Sequence, residues 1–360
     1  MASIANEPNA QTINVMADVL EDYATKILMK AVDMPEADAR VTASNLVFGN
    51  LRGVDTHGIA RLGVYLAHLE KGKAVAKPNL SIIKDNGASI LADADHALGQ
   101  VAANYGMKIA IDRAKKYGLS WVGVRNGGHI GALAYWSMMA LEHNMIGICT
   151  TSTTPVMAAW GSKETTAGNT PISIAAPSGS DMPLVLDMAL SVAARGNLFI
   201  ASRQKTKVPD GWAIDKDGVP TNDPDAALLG SVLPIGTYKG SGLAMMIEVL
   251  TGVLMGTNFG TDKGQLVPPN LEKPLGLTHL FIALPIENFI PIDMFKTRMD
   301  ELIRQVKESA LSKDIEEVLV PNDKEYRNEQ IRRVKGVPLN QVTADELRSF
   351  SPKYNIPCPF

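Results

Sequence analysis

The sequence predicts a mixed α/β fold with helical segments at both ends of the chain. Near the N-terminus, apolar residues recur at helical spacing, as at Leu20, Tyr23 and Ile27. The same spacing returns near the C-terminus at Leu302 and Val306. Between these segments, short apolar runs bounded by Gly, Asn and Asp alternate with further helical patterns. Because this alternation is typical of strands connected by helices, we expect a central sheet region flanked by helices.

The N-terminal segment is predicted to contain successive helices. After a first helix, Pro35 opens a second one, with Glu36 and Asp38 in the first turn, where the helix dipole favours negative charge. This second helix is predicted to end before Gly53. A third apolar stripe spans residues 59–69.

The centre of the chain combines predicted strands and helices. Strands are predicted at residues 80–83, 89–92, 119–124, 145–150 and 184–188. Helices are predicted at residues 101–116, 132–143 and 242–254, and again after Pro291, at 324–334 and at 343–350. We therefore expect an N-terminal helical region (residues 1–75) to pack with a C-terminal helical region (residues 290–360), beside a central mixed α/β region (residues 76–289).

Composition excludes several function classes. The 360 residues include 35 Lys and Arg and 38 Asp and Glu, so the formal net charge is -3, without the basic surface that nucleic acid or an anionic membrane attracts. Residues 1–24 lack the features of a secretory signal, and the apolar stretch at 242–256 is shorter than the about 20 residues of a membrane span. We expect a soluble cytoplasmic protein with no nucleic-acid or membrane partner.

The familiar nucleotide motifs are absent from the sequence. No G-x-G-x-x-G follows a predicted strand, and a P-loop, a G-x-S-x-G elbow and an H-E-x-x-H motif are also missing. Glycine-rich helix starts occur at residues 127–131 and 239–242, where backbone N–H groups can bind an anion. No pair of histidines has the spacing of metal ligands, so we expect no metal site. A dinucleotide would bind to a fold other than the Rossmann fold.

His57 is the first candidate for chemistry. It lies in the segment RGVDTHGIAR, between a helix end and a glycine, and Arg52 and Arg61 flank it. Arginine grips a carboxylate through two hydrogen bonds, and an imidazole beside it can exchange a proton with the substrate. Alternatively, Arg52 only ends a helix and His57 is a hydrogen-bonded turn residue. The spacing leaves both interpretations open.

Three further residues have similar alternatives. His129 lies at a strand-to-helix turn, where it is either functional or structural. Asp187 follows an apolar run and either orients an imidazole or caps a helix. Lys239 precedes a helix start and either binds phosphate or is simply exposed.

Six motifs together resemble one enzyme family. The motifs RGVDTHGIAR, NGGHIGA, GNTP, LDMA, WAIDKDGVPT and YKGSGLAMM occur in this order. The sequence resembles the non-Rossmann malate/L-lactate dehydrogenase family over residues 36–324. This family includes ureidoglycolate and sulfolactate dehydrogenases and reductases of cyclic-imine carboxylates. The resemblance implies an NAD(P)-dependent homodimer, with a mixed-sheet cofactor domain and a helical domain built from both chain ends.

The resemblance also assigns roles to residues. It implies that His57 donates the proton, although the ureidoglycolate branch gives the acid/base role to the equivalent of His129. We rank His57 first because the acid equivalent to Asp187 can orient it. It implies that Arg61 holds the substrate carboxylate, with Arg52 and Thr56 beside it. Cofactor contacts are expected from Thr153, Asp187, Met188, Ala189, Lys239, Gly240, Asn322, Asp323 and Lys324.

The late turn at residues 321–324 departs from the family pattern of Pro, Gly and an acid. Asn322 stands where relatives have glycine, and asparagine can adopt the same left-handed conformation. Lys324 replaces an acid and would tolerate a 2′-phosphate, so NAD and NADP both remain possible, with NAD favoured.

The resulting hypothesis is hydride transfer between a nicotinamide cofactor and C2 of a small 2-hydroxy or 2-oxo acid of the malate, lactate, ureidoglycolate or sulfolactate type. One alternative is a reductase of cyclic imine or ketimine carboxylates. Another is a non-catalytic dinucleotide-binding dimer. The sequence does not identify the group that distinguishes one such acid from another.

Overall fold

The structure, a computed structural model, describes residues 12–263 and 273–360. Its α-helices, in chain order, are α1 (Ala17–Val32), α2 (Glu36–Leu51), α3 (Leu62–Glu70), α4 (Gly99–Tyr117), α5 (Leu133–Met138), α6 (Arg195–Gln204), α7 (Pro224–Leu229), α8 (Tyr238–Glu248), α9 (Ile292–Lys307), α10 (Asp323–Lys335) and α11 (Gln341–Tyr354). Its strands are β1 (Thr12–Val15), β2 (Ser81–Asn86), β3 (Ser89–Asp93), β4 (Trp121–Gly127), β5 (Met145–Thr151), β6 (Pro155–Ala158), β7 (Thr165–Gly168), β8 (Ile172–Ala176), β9 (Leu184–Met188), β10 (Ala213–Ile214), β11 (Pro220–Thr221), β12 (Ser231–Val232), β13 (Leu277–Pro285) and β14 (Val337–Asn340).

A mixed seven-stranded sheet forms the centre of the molecule, in the order β2-β3-β4-β13-β5-β8-β9. Strands β3 and β4 are parallel, whereas β13 runs antiparallel to both of its neighbours. At its middle, Phe281 pairs with Val122 on one side and Cys149 on the other. A second sheet has the order β11-β10-β12-β6-β7. The predicted mixed α/β class is confirmed.

The two ends of the chain meet. Strand β1 pairs with β14 in antiparallel register, from Thr12 opposite Asn340 to Val15 opposite Val337. The Tyr23 hydroxyl of α1 donates a hydrogen bond of 2.9 Å to a backbone carbonyl of α11. One apolar core joins these terminal helices to the central sheet. The proposed division at residues 75 and 290 stays a prediction.

A second apolar core packs the five-stranded sheet against α6 and α8. It includes Met157 from the sheet, Leu198 from α6 and Ile247 from α8. No α-helix of the described residues is long and apolar enough to cross a membrane.

Local structure differs from the sequence prediction in several places. Helices α6 and α7 and several short strands, among them β1, β8 and β14, were not predicted. The helix predicted at residues 132–143 breaks, since α5 is followed by a 3-10 turn at Leu141–His143. The helix predicted at 242–254 is α8 continued by a π-helical turn at Val249–Val253. Strand β13 was not predicted: it is largely buried on both faces, so its apolar run lacks the alternation of an exposed strand.

Candidate active site

A cavity of about 450 Å³ lies where the two cores meet, within the range of roughly 300–1,000 Å³ typical of small-molecule sites. The predicted site residues that line it are Arg52, Thr56, His57, Arg61, His129, Thr153, Asp187, Met188, Ala189 and Asn322. Four other predicted site residues do not line it, namely Lys239, Gly240, Asp323 and Lys324. The fold therefore brings most of the candidate residues to the wall of one cavity.

The loop that carries His57 is fixed by the end of α2. The Asn50 side chain accepts a 2.7 Å hydrogen bond from the Ile59 N–H and donates one of 2.6 Å to Asp55. Gly58 passes so close that a Cβ atom there would lie 2.3 Å from the Asn50 amide oxygen. Only glycine fits this approach, so the loop has little freedom, and His57 is held at the cavity wall.

The His57 and His129 rings stack, with centroids 5.4 Å apart, but their Nδ1 atoms have different partners. Nδ1 of His57 lies 3.0 Å from the Thr56 hydroxyl, which can donate or accept. Nδ1 of His129 accepts a hydrogen bond of 3.2 Å from the Gly131 N–H. A backbone N–H can only donate, so Nδ1 of His129 carries no proton and the ring hydrogen is on Nε2.

Tyr65 supports the same tautomer of His129. Its hydroxyl lies 2.8 Å from Nδ1 of His129 and accepts a hydrogen bond of 3.1 Å from the Gln100 amide nitrogen. Since Gln100 donates to the Tyr65 oxygen, the Tyr65 hydrogen is available to Nδ1 of His129. Burial raises the pKa of Tyr65 to about 12, which keeps this donor protonated. Sequence analysis missed Tyr65 and Gln100; the signal for Tyr65 was its place one helical turn after Arg61.

Both imidazoles are neutral near pH 7. Burial in the cavity wall lowers the pKa of His57 to about 4, and the charge of Arg61 adds to the effect. Burial also lowers the pKa of His129 well below its usual value, with further contributions from His57 and Arg61. A neutral His57 can accept a proton, whereas a neutral His129 can donate a hydrogen bond from Nε2.

The two predicted arginines have different environments. Nε of Arg61 donates a hydrogen bond of 2.7 Å to the Thr56 carbonyl, and its terminal nitrogens have no partner among the described residues. Arg52 is buried: it donates to the Asn322 side chain and lies 3.3 Å from a Glu329 carboxylate oxygen. Arg61 is therefore free to bind a substrate carboxylate, while Arg52 already has protein partners and ends α2. A role of Arg52 in substrate binding stays a prediction.

Asp187 faces the cavity but does not contact His57. Its carboxylate accepts a hydrogen bond of 2.8 Å from the Ala134 N–H at the start of α5, and none joins it to His57 in the described part of the chain. Burial raises the pKa of Asp187 to about 6, although the Ala134 hydrogen bond and the Arg52 charge oppose this shift. The start of α5 thus holds the carboxylate, and the orienting role of Asp187 towards His57 stays a prediction.

The remaining candidates occupy three environments. The Thr153 hydroxyl accepts a hydrogen bond of 3.2 Å from the Thr170 N–H, and the Thr153 carbonyl accepts one of 2.9 Å from the buried Lys263 ammonium. Asn322 has a φ angle of 90°, the left-handed conformation expected for it. Asp323 is buried and accepts a hydrogen bond of 2.7 Å from Lys307.

Lys239, Gly240 and Lys324 lie outside the cavity wall. Lys239 and Lys324 are exposed at the starts of α8 and α10. Gly240 is buried against a carbonyl, where a Cβ atom would lie 2.0 Å from the Ile235 oxygen. In residues 12–263 and 273–360, no group of three His, Cys, Asp or Glu side chains is arranged to hold a metal ion. Cofactor contacts from these three residues stay predictions.

Comparison with known proteins shows the family to which this chain belongs. The family model described as malate/L-lactate dehydrogenase matches residues 15–348. The L-sulfolactate dehydrogenase of Methanocaldococcus jannaschii is 40% identical over 89% of this chain and 92% of its own length. The solved structure of the sulfolactate dehydrogenase from this organism has a TM-score of 0.90, at 36% identity, over 96% of this chain and 98% of the other.

Two further relatives differ in the cofactor given in their names. The (2R)-3-sulfolactate dehydrogenase (NADP(+)) of Chromohalobacter salexigens is 33% identical over 90% of this chain and 94% of its own length. The ureidoglycolate dehydrogenase (NAD(+)) of Escherichia coli K12 is 32% identical over 84% of this chain and 85% of its own length.

Proposed function

The chain belongs to the malate/L-lactate dehydrogenase family, and from this premise we propose that it is an NAD(P)-dependent dehydrogenase of small 2-hydroxy acids. One observation carries the proposal. The unpaired guanidinium nitrogens of Arg61 line the same cavity as two neutral imidazoles, His57 and His129. This combination binds a carboxylate and moves the proton of the adjacent hydroxyl.

The cavity residues fit a nicotinamide cofactor. Hydroxyl groups of residues 151–154 and the backbone at the end of β9 provide polar contacts, and Val156, Leu186 and Phe199 provide apolar ones. When bound, the cofactor supplies or accepts the hydride. Relatives use NAD or NADP. NAD is favoured here, since Lys324, the residue that would tolerate a 2′-phosphate, does not line the cavity.

Each side chain has a separate role in the proposed reaction. Arg61 holds the substrate carboxylate, and Nε2–H of His129 donates a hydrogen bond to the C2 oxygen. During oxidation, His57 accepts the hydroxyl proton while the hydride leaves C2 and a carbonyl forms; during reduction, His57 returns the proton. The Thr56 hydroxyl can adapt to either protonation state of His57. Nδ1 of His129 faces a fixed N–H donor, so His129 is poorly suited to become cationic.

The test is an absorbance assay of the purified chain. NADH and NADPH are each offered with oxaloacetate, sulfopyruvate, pyruvate and one cyclic imino acid. Oxidation of the cofactor by a 2-oxo acid is expected. Turnover of the imino acid alone would instead identify a cyclic-imine reductase. Cofactor binding without any turnover would identify a non-catalytic binding protein.

We also propose that the chain forms a homodimer through α8 and the π-helical turn that follows it. The exposed side chains of this surface are largely apolar: Tyr238, Leu243, Met245, Met246, Val253 and Leu254. A contiguous apolar patch of this kind commonly marks a protein contact. Met245→Glu is expected to shift the mass in analytical ultracentrifugation from dimer to monomer, while Val342→Glu, at an equally exposed position on α11, leaves it unchanged. An unaltered dimer in Met245→Glu would exclude this surface.

A further inference from the structure

Most arginines of the described residues form an ion pair with a carboxylate, and a few do not. In the described ranges, the arginines without an ion pair to a carboxylate are Arg61, Arg195, Arg203 and Arg298. Arg203 and Arg298 are exposed, so water solvates their charge. Arg61 and Arg195 are only partly exposed, and both line the cavity. The two arginines that lack both full solvation and a carboxylate partner therefore belong to the same site.

Arg195 keeps most of its hydrogen-bonding capacity. One terminal nitrogen donates a hydrogen bond of 3.0 Å to the Leu228 carbonyl, and no other hydrogen bond joins its guanidinium to the described residues. Burial lowers the pKa of Arg195, because its charge is partly removed from water and no carboxylate compensates it. A charge in this state is costly unless an anion binds to it.

The start of α6, which carries Arg195, lies beside the loop that carries Thr56 and His57. The next residue, Gly196, approaches the Thr56 side chain, since a Cβ atom on Gly196 would lie 3.9 Å from the Thr56 methyl group. Thr56 precedes His57, and its carbonyl accepts the Arg61 hydrogen bond. The residue after Arg195 thus borders the loop that carries the proposed proton carrier and the proposed carboxylate ligand, and Arg195 itself lines the same cavity.

We propose that Arg195 determines specificity by binding the second anionic group of the substrate. This inference rests on the proposed dehydrogenase function and deepens it. Arg61 binds the C1 carboxylate, and Arg195 binds a carboxylate or sulfonate attached at C3. The methyl group of lactate would leave Arg195 unpaired, and the ureido group of ureidoglycolate carries no charge. The enzyme therefore prefers dianionic 2-hydroxy acids, because the analogue without the second anion leaves a partly buried cation uncompensated.

The test compares substrates that differ in this second group. The full chain and the variants Arg195→Gln and Arg195→Lys are assayed with oxaloacetate, sulfopyruvate and pyruvate. Arg203→Gln is the matched control, since Arg203 is an exposed arginine on the same helix. We expect Arg195→Gln to lower the ratio of kcat/KM for oxaloacetate to that for pyruvate by roughly 10- to 100-fold, the range for a lost hydrogen bond to a charged group. Arg195→Lys keeps the charge and should retain part of the preference, and Arg203→Gln should retain all of it.

Three results would overturn the inference, and two of them are distinct from failure of the proposed function. An unchanged ratio in Arg195→Gln would show that Arg195 does not select the substrate. A raised KM for NAD(P)H at an unchanged ratio would show that it binds the cofactor instead. If the unmodified chain reduces none of the three acids, the proposed function itself fails, and this inference fails with it. Activity of the unmodified chain with an unaffected variant ratio rejects the inference alone.

Discussion

The imidazole rings of His57 and His129 lie nearly parallel, with an interplanar angle of 26° and centroids 5.4 Å apart. Two histidines this close cannot both be cationic at low cost, since each positive charge disfavours the other. Their Nδ1 partners separate their roles: an adaptable hydroxyl faces His57, and a fixed N–H donor faces His129. From this difference we expect one ring to carry the proton and the other to remain neutral.

Substitution of the two histidines by glutamine should distinguish these roles. Glutamine cannot exchange a proton near neutral pH, so His57→Gln should lower kcat by roughly 10²- to 10⁴-fold, the usual contribution of a general acid or base. A glutamine amide can still donate a hydrogen bond, so His129→Gln should lower kcat less than His57→Gln, by roughly tenfold. Steady-state kinetics with NAD(P)H and the best 2-oxo acid measures both values. A larger loss in His129→Gln than in His57→Gln would reverse the assignment.

The low pKa of His57 predicts opposite pH dependences for the two reaction directions. Its pKa is lowered to about 4, so the neutral form dominates at neutral pH. Oxidation of the hydroxy acid needs that form, so its kcat/KM should be flat above about pH 5 and fall below about pH 4. Reduction needs the protonated form, so its kcat/KM should fall about tenfold per pH unit as the pH rises above about 4. A pH-independent reduction rate across neutral pH, with chemistry limiting, would contradict the role of His57.

Tyr65 is expected to act as a positioning residue for His129. Tyr65→Phe removes one of the two donors to Nδ1 and leaves the Gly131 N–H. The ¹⁵N chemical shifts of the His129 ring should then report a larger fraction of the Nδ1–H tautomer, and kcat should fall roughly tenfold. Tyr105→Phe is the control, because the Tyr105 side chain makes no hydrogen bond to the described residues. Unchanged ring shifts in Tyr65→Phe would show that Gly131 alone sets the tautomer.

Loss of the Arg61 guanidinium should weaken substrate binding more than turnover. Arg61→Gln removes the unpaired donors that face the cavity, so KM for the 2-oxo acid should rise roughly 10- to 100-fold. Arg61→Lys keeps the charge but cannot bind the carboxylate through two parallel hydrogen bonds, so its KM should lie between those of the unmodified chain and of Arg61→Gln. Initial rates over a range of oxo-acid concentrations measure the effect. A normal KM in Arg61→Gln would show that another cavity arginine binds the carboxylate, either Arg195 or Arg52, which the structure pairs with Glu329.

Local pattern predicted some elements of the fold and missed others. Helix α1 has an apolar stripe, α2 has a proline start with acids in its first turn, and strands β3, β5 and β9 have bounded apolar runs, all of which sequence analysis recognises. Strand β13 lies between β4 and β5 and is covered on both faces, so its sequence carries no alternation that would separate it from a buried helix.

Site residues that lie close together in sequence could be predicted, whereas contacts between elements distant in sequence could not. His57 and Arg61 share one loop, and glycines mark the turn of His129, so sequence spacing marked the histidines as candidates and the family resemblance assigned the roles. The partner of Asp187 depends on where α5 starts relative to β9, which no spacing encodes. Arg195 begins an ordinary helix, and its lack of a carboxylate partner became visible only once the positions of all the arginines were known.

In the proposed reaction, hydrogen passes directly from the cofactor to C2 of the substrate, and isotopic labelling follows this transfer. NADH or NADPH, deuterated at C4 in either the R or the S position, is incubated with the full chain and the best 2-oxo acid in ordinary water. We expect one of the two labelled cofactors to place deuterium at C2 of the hydroxy acid, with none lost to solvent. A product whose C2 hydrogen comes from water, or an oxidised cofactor without any hydroxy acid, would contradict it.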